Sequence, residues 1–411
     1  MKILYVVHQF FPKHYTGTER FALNLSKQMQ RMGHYAKIVT YELADNDGFM
    51  REDGFFLKEY SFQGLPVISM RHASLPDSTK KPIFDFTMEK LFYKFLSEED
   101  FDIIHICHPM HFGIINLIAH DLGIPIVSTL TDFWLMCPRV IAVTSKGELC
   151  NNPNEGKKCL RECLKPSQDA WIKQRFDDAR EFLKNSSCIA APTQFLADLF
   201  IDAFGENINV VRHGIEYCDI KPNEKMLNNR DTVVFGYIGT ILPHKGIHIV
   251  IDAVKTLNTN NIKIKIYGNY FNERDYFNSL QRKAQDDPRI TFLGEYKDEE
   301  IKNIMNDVDC ILCPSVWWEN SPLTVLTSLA YRVPVITIDV GGAAELVNND
   351  INGFNFEIGD PNSLAHILEK IAKNPGLLNN IKNNIIRPRR VEEEAFDYEK
   401  IYETIKKDNA D

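Results

Sequence analysis

No run of roughly eighteen consecutive apolar residues occurs in this 411-residue chain, so its sequence offers no membrane-spanning helix. Positive charge is also in short supply. Lysine and arginine number 47 against 56 aspartates and glutamates, and the net charge of −9 argues against a general nucleic-acid binder. The opening segment lacks what an export signal needs. Its apolar core is short, runs into His8, Gln9 and Pro12-Lys13, and meets no small-residue cleavage site. It reads better as a first buried strand, so a cytoplasmic protein with its nine cysteines reduced is expected. What remains is a globular composition, 44% hydrophobic and 25% charged, in a chain too long for one ordinary core. Two domains are expected.

Strand-like and helix-like segments alternate twice over. Strands are expected at Ile3–Val7, Ala36–Thr40, Pro66–Met70, Asp102–Cys107, Pro125–Leu130, Cys188–Ala191 and Asn209–Arg212. The first helix, Thr18–Met32, has Phe21, Leu25, Met29 and Met32 at helical spacing, with Gly33 placed to end it. The polar stretch Tyr217–Asp231 has little periodicity and reads as a linker. Strands then recur at Val233–Ile238, Ile262–Tyr267, Ile290–Leu293, Cys310–Leu312 and Pro334–Ile338. A last amphipathic helix spans about Val391–Lys406. Such alternation implies parallel sheets covered on both faces. The expected order is a domain at 1–216, a linker at 217–230, a domain at 231–386 and a closing helical segment at 387–411. Two Rossmann-like α/β domains leave a cleft at the carboxyl ends of their strands, where ligands of open sheets sit.

The segment from Cys313 to Leu323 is the most telling. It follows the apolar run Asp309–Leu312 and precedes the helical run Leu323–Tyr331. Ser321 suits an N-cap and Pro322 the first helical position. A helix starting at the end of a parallel strand aims free N–H groups at that edge, which suits a phosphate. Glu319 could accept hydrogen bonds from sugar hydroxyls; an ordinary strand–turn–helix with an exposed glutamate is the plain alternative. Lys245 lies between strand and helix in the turn Gly239–Gly246, where a lysine could neutralise a diphosphate or be merely solvated. Gly17 opens the first helix. His105 and His108 stand at one strand end, and Asp132 follows the next.

The Trp317-Trp318-Glu319-Asn320-Ser321-Pro322-Leu323 segment resembles the donor-site motif of retaining glycosyltransferases of family 4, which have the GT-B fold. Gly17-Thr18-Glu19-Arg20 resembles that family's N-terminal glycine turn, and Gly239 to Gly246 its diphosphate-binding turn. Gly341-Gly342-Ala343-Ala344-Glu345, followed by Asn352-Gly353, resembles the turn after its donor helix. The resemblance implies a C-terminal helix that crosses back onto the N-terminal domain. It implies a metal-independent enzyme that takes a sugar from a nucleotide-diphosphate sugar to a glycan or lipid-linked acceptor. It makes Lys245 the donor-phosphate lysine and Glu319 the contact to the transferred sugar. Gly17, Gly239, Thr240, Asn320, Ser321, Leu323 and Thr324 then line the donor, and His105, His108 and Asp132 are the catalytic-side candidates. No Asp-x-Asp motif stands where a catalytic metal would be expected. The chain departs from the family at Thr16, Thr131 and Thr240, and most sharply at Thr327, where a glutamate normally grips the ribose.

Two features lie outside that scheme. Cys137, Cys150, Cys159 and Cys163 share one polar segment, with twelve, eight and three residues between them. They could hold a structural zinc ion or an iron–sulfur cluster, or be free thiols of a loop. Cysteine-bearing loops of this kind occur in the family branch that carries Asp-Phe-Trp and Cys-Pro-Arg. The segment Lys80 to Leu96 mixes lysines with aromatics, as a peripheral membrane contact at the inner face would, although a helix packed on the sheet is the commoner case. Two alternative functions stand beside the transferase: a non-catalytic GT-B protein that binds nucleotide or glycan, and a sugar-nucleotide epimerase.

Overall fold

A computed structural model of the chain describes residues 1–43, 47–52, 54–74, 82–216, 224–228, 231–270 and 273–409. The chain divides into two compact units, Met1–Gly214 with Val391–Asp411, and Ile215–Arg390. Most of the expected linker 217–230 lies outside the described residues, as do Lys80 and Lys81. The described Leu227 belongs to the second unit, where its backbone N–H and C=O both bond the Asn379 side chain.

The first unit holds β1 (Lys2–Val7), β2 (Tyr35–Tyr41), β3 (Met50–Glu52), β4 (Phe55–Phe62), β5 (Leu65–His72), β6 (Ile103–Ile106), β7 (Ile126–Thr129), β8 (Cys188–Ala191) and β9 (Asn209–Val210). They form one sheet in the order β3-β4-β5-β2-β1-β6-β7-β8-β9. β1, β2 and β5 to β9 run parallel, while β3 and β4 form an antiparallel edge. That edge corrects the expectation of a wholly parallel sheet. An edge hairpin needs no continuous apolar run, and in β4 residues 58–62 alternate half-buried with exposed. β4 also pairs antiparallel with β5, and the turn that joins them is Gln63-Gly64, with φ of 49° and 85°, the positive values that a tight hairpin demands. The aromatic segment after it forms the helix Glu89–Glu98, which buries Phe92 and Leu96.

The closing helix, Val391–Asp408, packs against the helix Gly17–Arg31 and belongs to the first unit. Ala395, Tyr398 and Tyr402 share a core with Ile3, Tyr5 and Val7 of β1. A polar network crosses this core. His105 meets the Tyr402 hydroxyl through Nδ1 at 2.5 Å and the Thr129 hydroxyl through Nε2 at 2.7 Å. Thr129 in turn meets the Tyr398 hydroxyl at 2.9 Å. Both ring nitrogens of His105 are thus taken, and none of its surface is exposed. This corrects its assignment to a catalytic site: the strand pleat turns it inward, under the closing helix.

The second unit holds β10 (Val233–Ile238), β11 (Ile262–Tyr267), β12 (Ile290–Gly294), β13 (Cys310–Cys313), β14 (Val335–Ile338) and β15 (Gly353–Phe356). The order is β12-β11-β10-β13-β14-β15, parallel throughout. β15 is absent from the sequence reading, because four residues led by a glycine carry little strand signal. Alternate residues serve the two faces. Cys310 and Leu312 join one core, Ile311 and Cys313 the other. Burying each isoleucine or leucine contributes roughly 1.5–3 kcal/mol.

Burial lowers the pKa of His105 to about 3 and keeps the ring neutral in the native state. The unfolded chain binds a proton below about 6.5, so this histidine's stabilising share is whole above that pH and is lost as pH falls. Urea midpoints between pH 7 and 5 are expected to drop more steeply in the wild type than in His105→Gln. The corresponding difference in unfolding free energy reaches at most about 1.4 kcal/mol per pH unit. Equal slopes would show that the ring does not stay neutral in the core.

Candidate functional site

In the second unit, two turns meet at the carboxyl edge of the sheet, because β10 and β13 are neighbours. The first runs from Gly239 through a short 3-10 turn, Pro243–Lys245, into the helix Ile247–Thr256. The second leads from β13 to the helix Leu323–Ala330. The Val316 N–H donates to the His244 carbonyl at 2.9 Å and straps the turns together. Gly246 has φ of 74°, and a Cβ there would stand 1.9 Å from the Pro314 carbonyl oxygen, so only glycine allows the approach.

The strap brings Lys245 and Glu319 into contact. The Lys245 ammonium donates to Glu319 Oε1 at 2.8 Å and stands 4.7 Å above the Trp317 ring. The same oxygen accepts from Ser315 Oγ at 2.5 Å and from Trp317 Nε1 at 2.8 Å. Glu319 is 5% exposed. Burial raises its carboxyl pKa, but the Lys245 charge and these donors outweigh burial and hold it below the usual glutamate range. His244 is pushed down to about 4, first by burial and then by the Lys245 charge, and is neutral at pH 7. Glu319 is therefore a buried carboxylate in a donor cage, which corrects the plain alternative of an exposed glutamate.

The helix begins one residue later than its sequence suggests. Pro322 is the N-cap, with φ −66° and ψ 114°, and no side chain caps the helix. This corrects Ser321 as N-cap. The Pro322 carbonyl takes the N–H groups of Val325 and Leu326, leaving those of Leu323 and Thr324 outside the helix's own bonding. The Thr324 hydroxyl donates to the Ile238 carbonyl at the end of β10. Thr327, half-buried, lies one turn on from Leu323 and Thr324, on their face. Asn320 and Ser321 occupy the turn between Glu319 and that face, and the Thr240 carbonyl accepts the Tyr237 hydroxyl at 2.6 Å. Gly341 and Gly342 open the helix Gly341–Leu346 rather than forming a turn, and the Gly342 N–H donates to the Glu319 carbonyl at 2.7 Å.

In the first unit, His108 is 1% exposed and faces Asp132, Nε2 to Oδ2, at 3.0 Å. Its Nδ1 accepts the Met110 N–H at 3.1 Å, so the neutral ring carries its proton on Nε2 and donates to the carboxylate. Its ring lies 4.0 Å from that of His8, and His8 Nε2 lies 3.6 Å from Glu19 Oε1. Sequence reasoning missed His8 and Glu19. A buried glutamate, 1% exposed on the first helix, leaves no mark in an amphipathic pattern. Gly17 starts that helix, and a Cβ there would meet nothing within 4 Å. All four cysteines, Cys137, Cys150, Cys159 and Cys163, line one small cavity. Among the described residues, no three His, Cys, Asp or Glu side chains stand close enough, as arranged, to hold a metal ion.

Residues 15–217 match the family Glycosyltransferase Family 4, and residues 220–387 match Glycosyl transferases group 1. An uncharacterised glycosyltransferase of Methanocaldococcus jannaschii is 24% identical over 93% of this chain and 92% of its own. The Escherichia coli UDP-Gal:α-D-GlcNAc-diphosphoundecaprenol α-1,3-galactosyltransferase is 25% identical over 72% of this chain and 73% of its own. The crystal structure of Anabaena HepE with UDP and glucose superposes with a TM-score of 0.67 at 18% identity, covering 98% of this chain and all of that one. With two glycosyltransferase regions in tandem on two α/β units of GT-B type, the chain is a family 4-like glycosyltransferase.

Proposed function

We propose that the chain transfers a sugar from a nucleotide-diphosphate sugar to a glycan or lipid-linked acceptor, retaining the anomeric configuration and using no catalytic metal. The product would be a surface polysaccharide or glycoconjugate. One observation carries this reading. Lys245 and Glu319, 74 residues apart in sequence, meet at 2.8 Å on the carboxyl edge of a parallel sheet, beside the helix that starts at Leu323. The relatives lend support, since HepE was crystallised with UDP and glucose, and the E. coli enzyme is named for a UDP-galactose donor and a diphosphoundecaprenol-linked acceptor.

In this reading the donor diphosphate lies against the Lys245 ammonium and the N–H groups of Leu323 and Thr324. Negative charge grows on the leaving diphosphate as the glycosidic bond breaks, and Lys245 opposes it without reorganisation. Neutral His244 adds no competing charge. Glu319, whose carboxyl Lys245 and its other donors hold below the usual glutamate range against the effect of burial, accepts hydrogen bonds from the transferred sugar. Gly17 and the His108–Asp132 pair serve the acceptor side of the first unit. A lipid-linked acceptor would bring the chain to a membrane surface, and no described helix is long and apolar enough to cross one, so the contact would be peripheral. Thr327 motivates a second reading, a non-catalytic nucleotide- or glycan-binding protein, because threonine forgoes a charge-assisted bond to the ribose.

Incubation with a panel of nucleotide sugars, with and without polyprenyl-diphosphate glycans, separates the two readings by release of nucleoside diphosphate. Proton NMR of the product reports the anomeric outcome. Lys245→Ala and Glu319→Gln are each expected to lower turnover about a hundred-fold or more with the circular dichroism spectrum unchanged. Wild-type rates in both variants would refute the site. Thr327→Glu is expected to tighten donor binding by at most about 1.5–3 kcal/mol in calorimetric titration. Weaker binding instead would show that the pocket is built around threonine.

A further inference from the structure

The segment between β7 and β8 carries four cysteines that the transferase reading leaves unused. It is not the unsupported polar loop that its composition suggests. A short bridge pairs Val143 with Leu149, a one-and-a-half-turn helix spans Lys157–Glu162, and Cys159 packs with Ile172 and Phe176. Cys137 enters from the turn after Trp134, Cys150 follows the bridge, Cys159 lies in the short helix, and Cys163 caps it. Chain segments that are separate in sequence thus deliver all four thiols to the wall of one cavity. None of them is in a disulfide.

A further observation points to what the cavity takes. Beside the cavity, Arg175 is 4% exposed, with its guanidinium 4.4 Å from the Trp134 ring. Its charge reaches Cys137 and Cys159 as well as Asp178 and Asp132. A buried cation there complements a site whose occupied form is anionic, as four thiolates around one divalent ion are. The backbone of the segment is also held in costly conformations, with Val140 at φ 70°, unusual for a β-branched residue.

We propose that Cys137, Cys150, Cys159 and Cys163 bind a single structural zinc ion. The cavity is about 10 Å³, enough for one ion. The four cysteines line the cavity wall, and ligation draws their sulfurs inward to the usual Zn–S length of about 2.3 Å. The four protons leave to solvent, so binding strengthens with pH. The ion would fix the segment that continues from Asp132 and Trp134, and so steady the His108–Asp132 pair from outside. This inference goes beyond the transferase reading and stands without it.

Elemental analysis of full-length protein, purified under reducing conditions without chelators, is expected to give about one zinc per chain. Cys137→Ser and Cys163→Ser are expected to lose it, and Cys188→Ala, a buried cysteine of β8, to keep it. Should the serine variants fail to fold, wild-type protein stripped by chelator provides the second measurement. Four thiols should then become reactive to a thiol reagent, and protease cleavage should appear within residues 137–163; zinc added back should reverse both. Zinc and iron both far below one per chain, with those thiols already reactive in the native protein, would overturn the proposal. Iron with visible absorbance, or a disulfide among the four, would overturn it equally.

Discussion

Parallel pairing is the constraint from which the rest of this molecule follows. A parallel strand cannot return by a tight turn, so each connection must leave at the carboxyl edge and cross over a face of the sheet. The connections that begin at that edge therefore gather there. In the second unit β10 and β13 are adjacent, and the turns that follow them stand side by side. That adjacency, and no local preference, joins a lysine and a glutamate 74 residues apart. In the first unit β1, β6 and β7 are likewise adjacent, and their ends carry His8, His108 and Asp132.

The Lys245–Glu319 pair illustrates how a buried charge is tolerated. A carboxylate with 5% of its surface exposed would be costly alone. Here one oxygen collects an ammonium, a hydroxyl and an indole N–H. Removing any donor leaves part of that charge uncompensated, so the cage is held by all its members at once. The lysine side chain, by contrast, is 24% exposed, so its charge is both oriented and open to a ligand. Oriented charge with an open side is what anion recognition requires, because little reorganisation is left for the moment of reaction.

His105 and His108 show the limits of position as a guide. They lie three residues apart at the end of one strand, and their residue type is the same. The first is sealed beneath Tyr398 and Tyr402 of the closing helix, and burial removes its basic character. The second extends past the last paired residue of β6 and meets Asp132. Whether a histidine at a strand end serves the core or the edge depends on what packs over it. In this chain the covering element arrives nearly three hundred residues later.

Alternation of apolar runs by itself determined two α/β units, most of the parallel strands, and the place of the turns around Lys245 and Glu319, because covered parallel strands must be continuously apolar and must be followed by a turn. The edge hairpin of β3 and β4, and β15, were not legible, since half-exposed or four-residue strands bury too little to leave a pattern. The helix start at Leu323 was misplaced by one residue, because a proline's fixed φ suits either the cap or the first turn, and ψ settles which. Tertiary structure alone decided that Glu319 is buried and caged, that His105 belongs to the core, that His8 and Glu19 stand beside His108, and that four scattered cysteines face one cavity. Each of these depends on which elements become neighbours, and that is set by long-range packing, which a local pattern cannot encode.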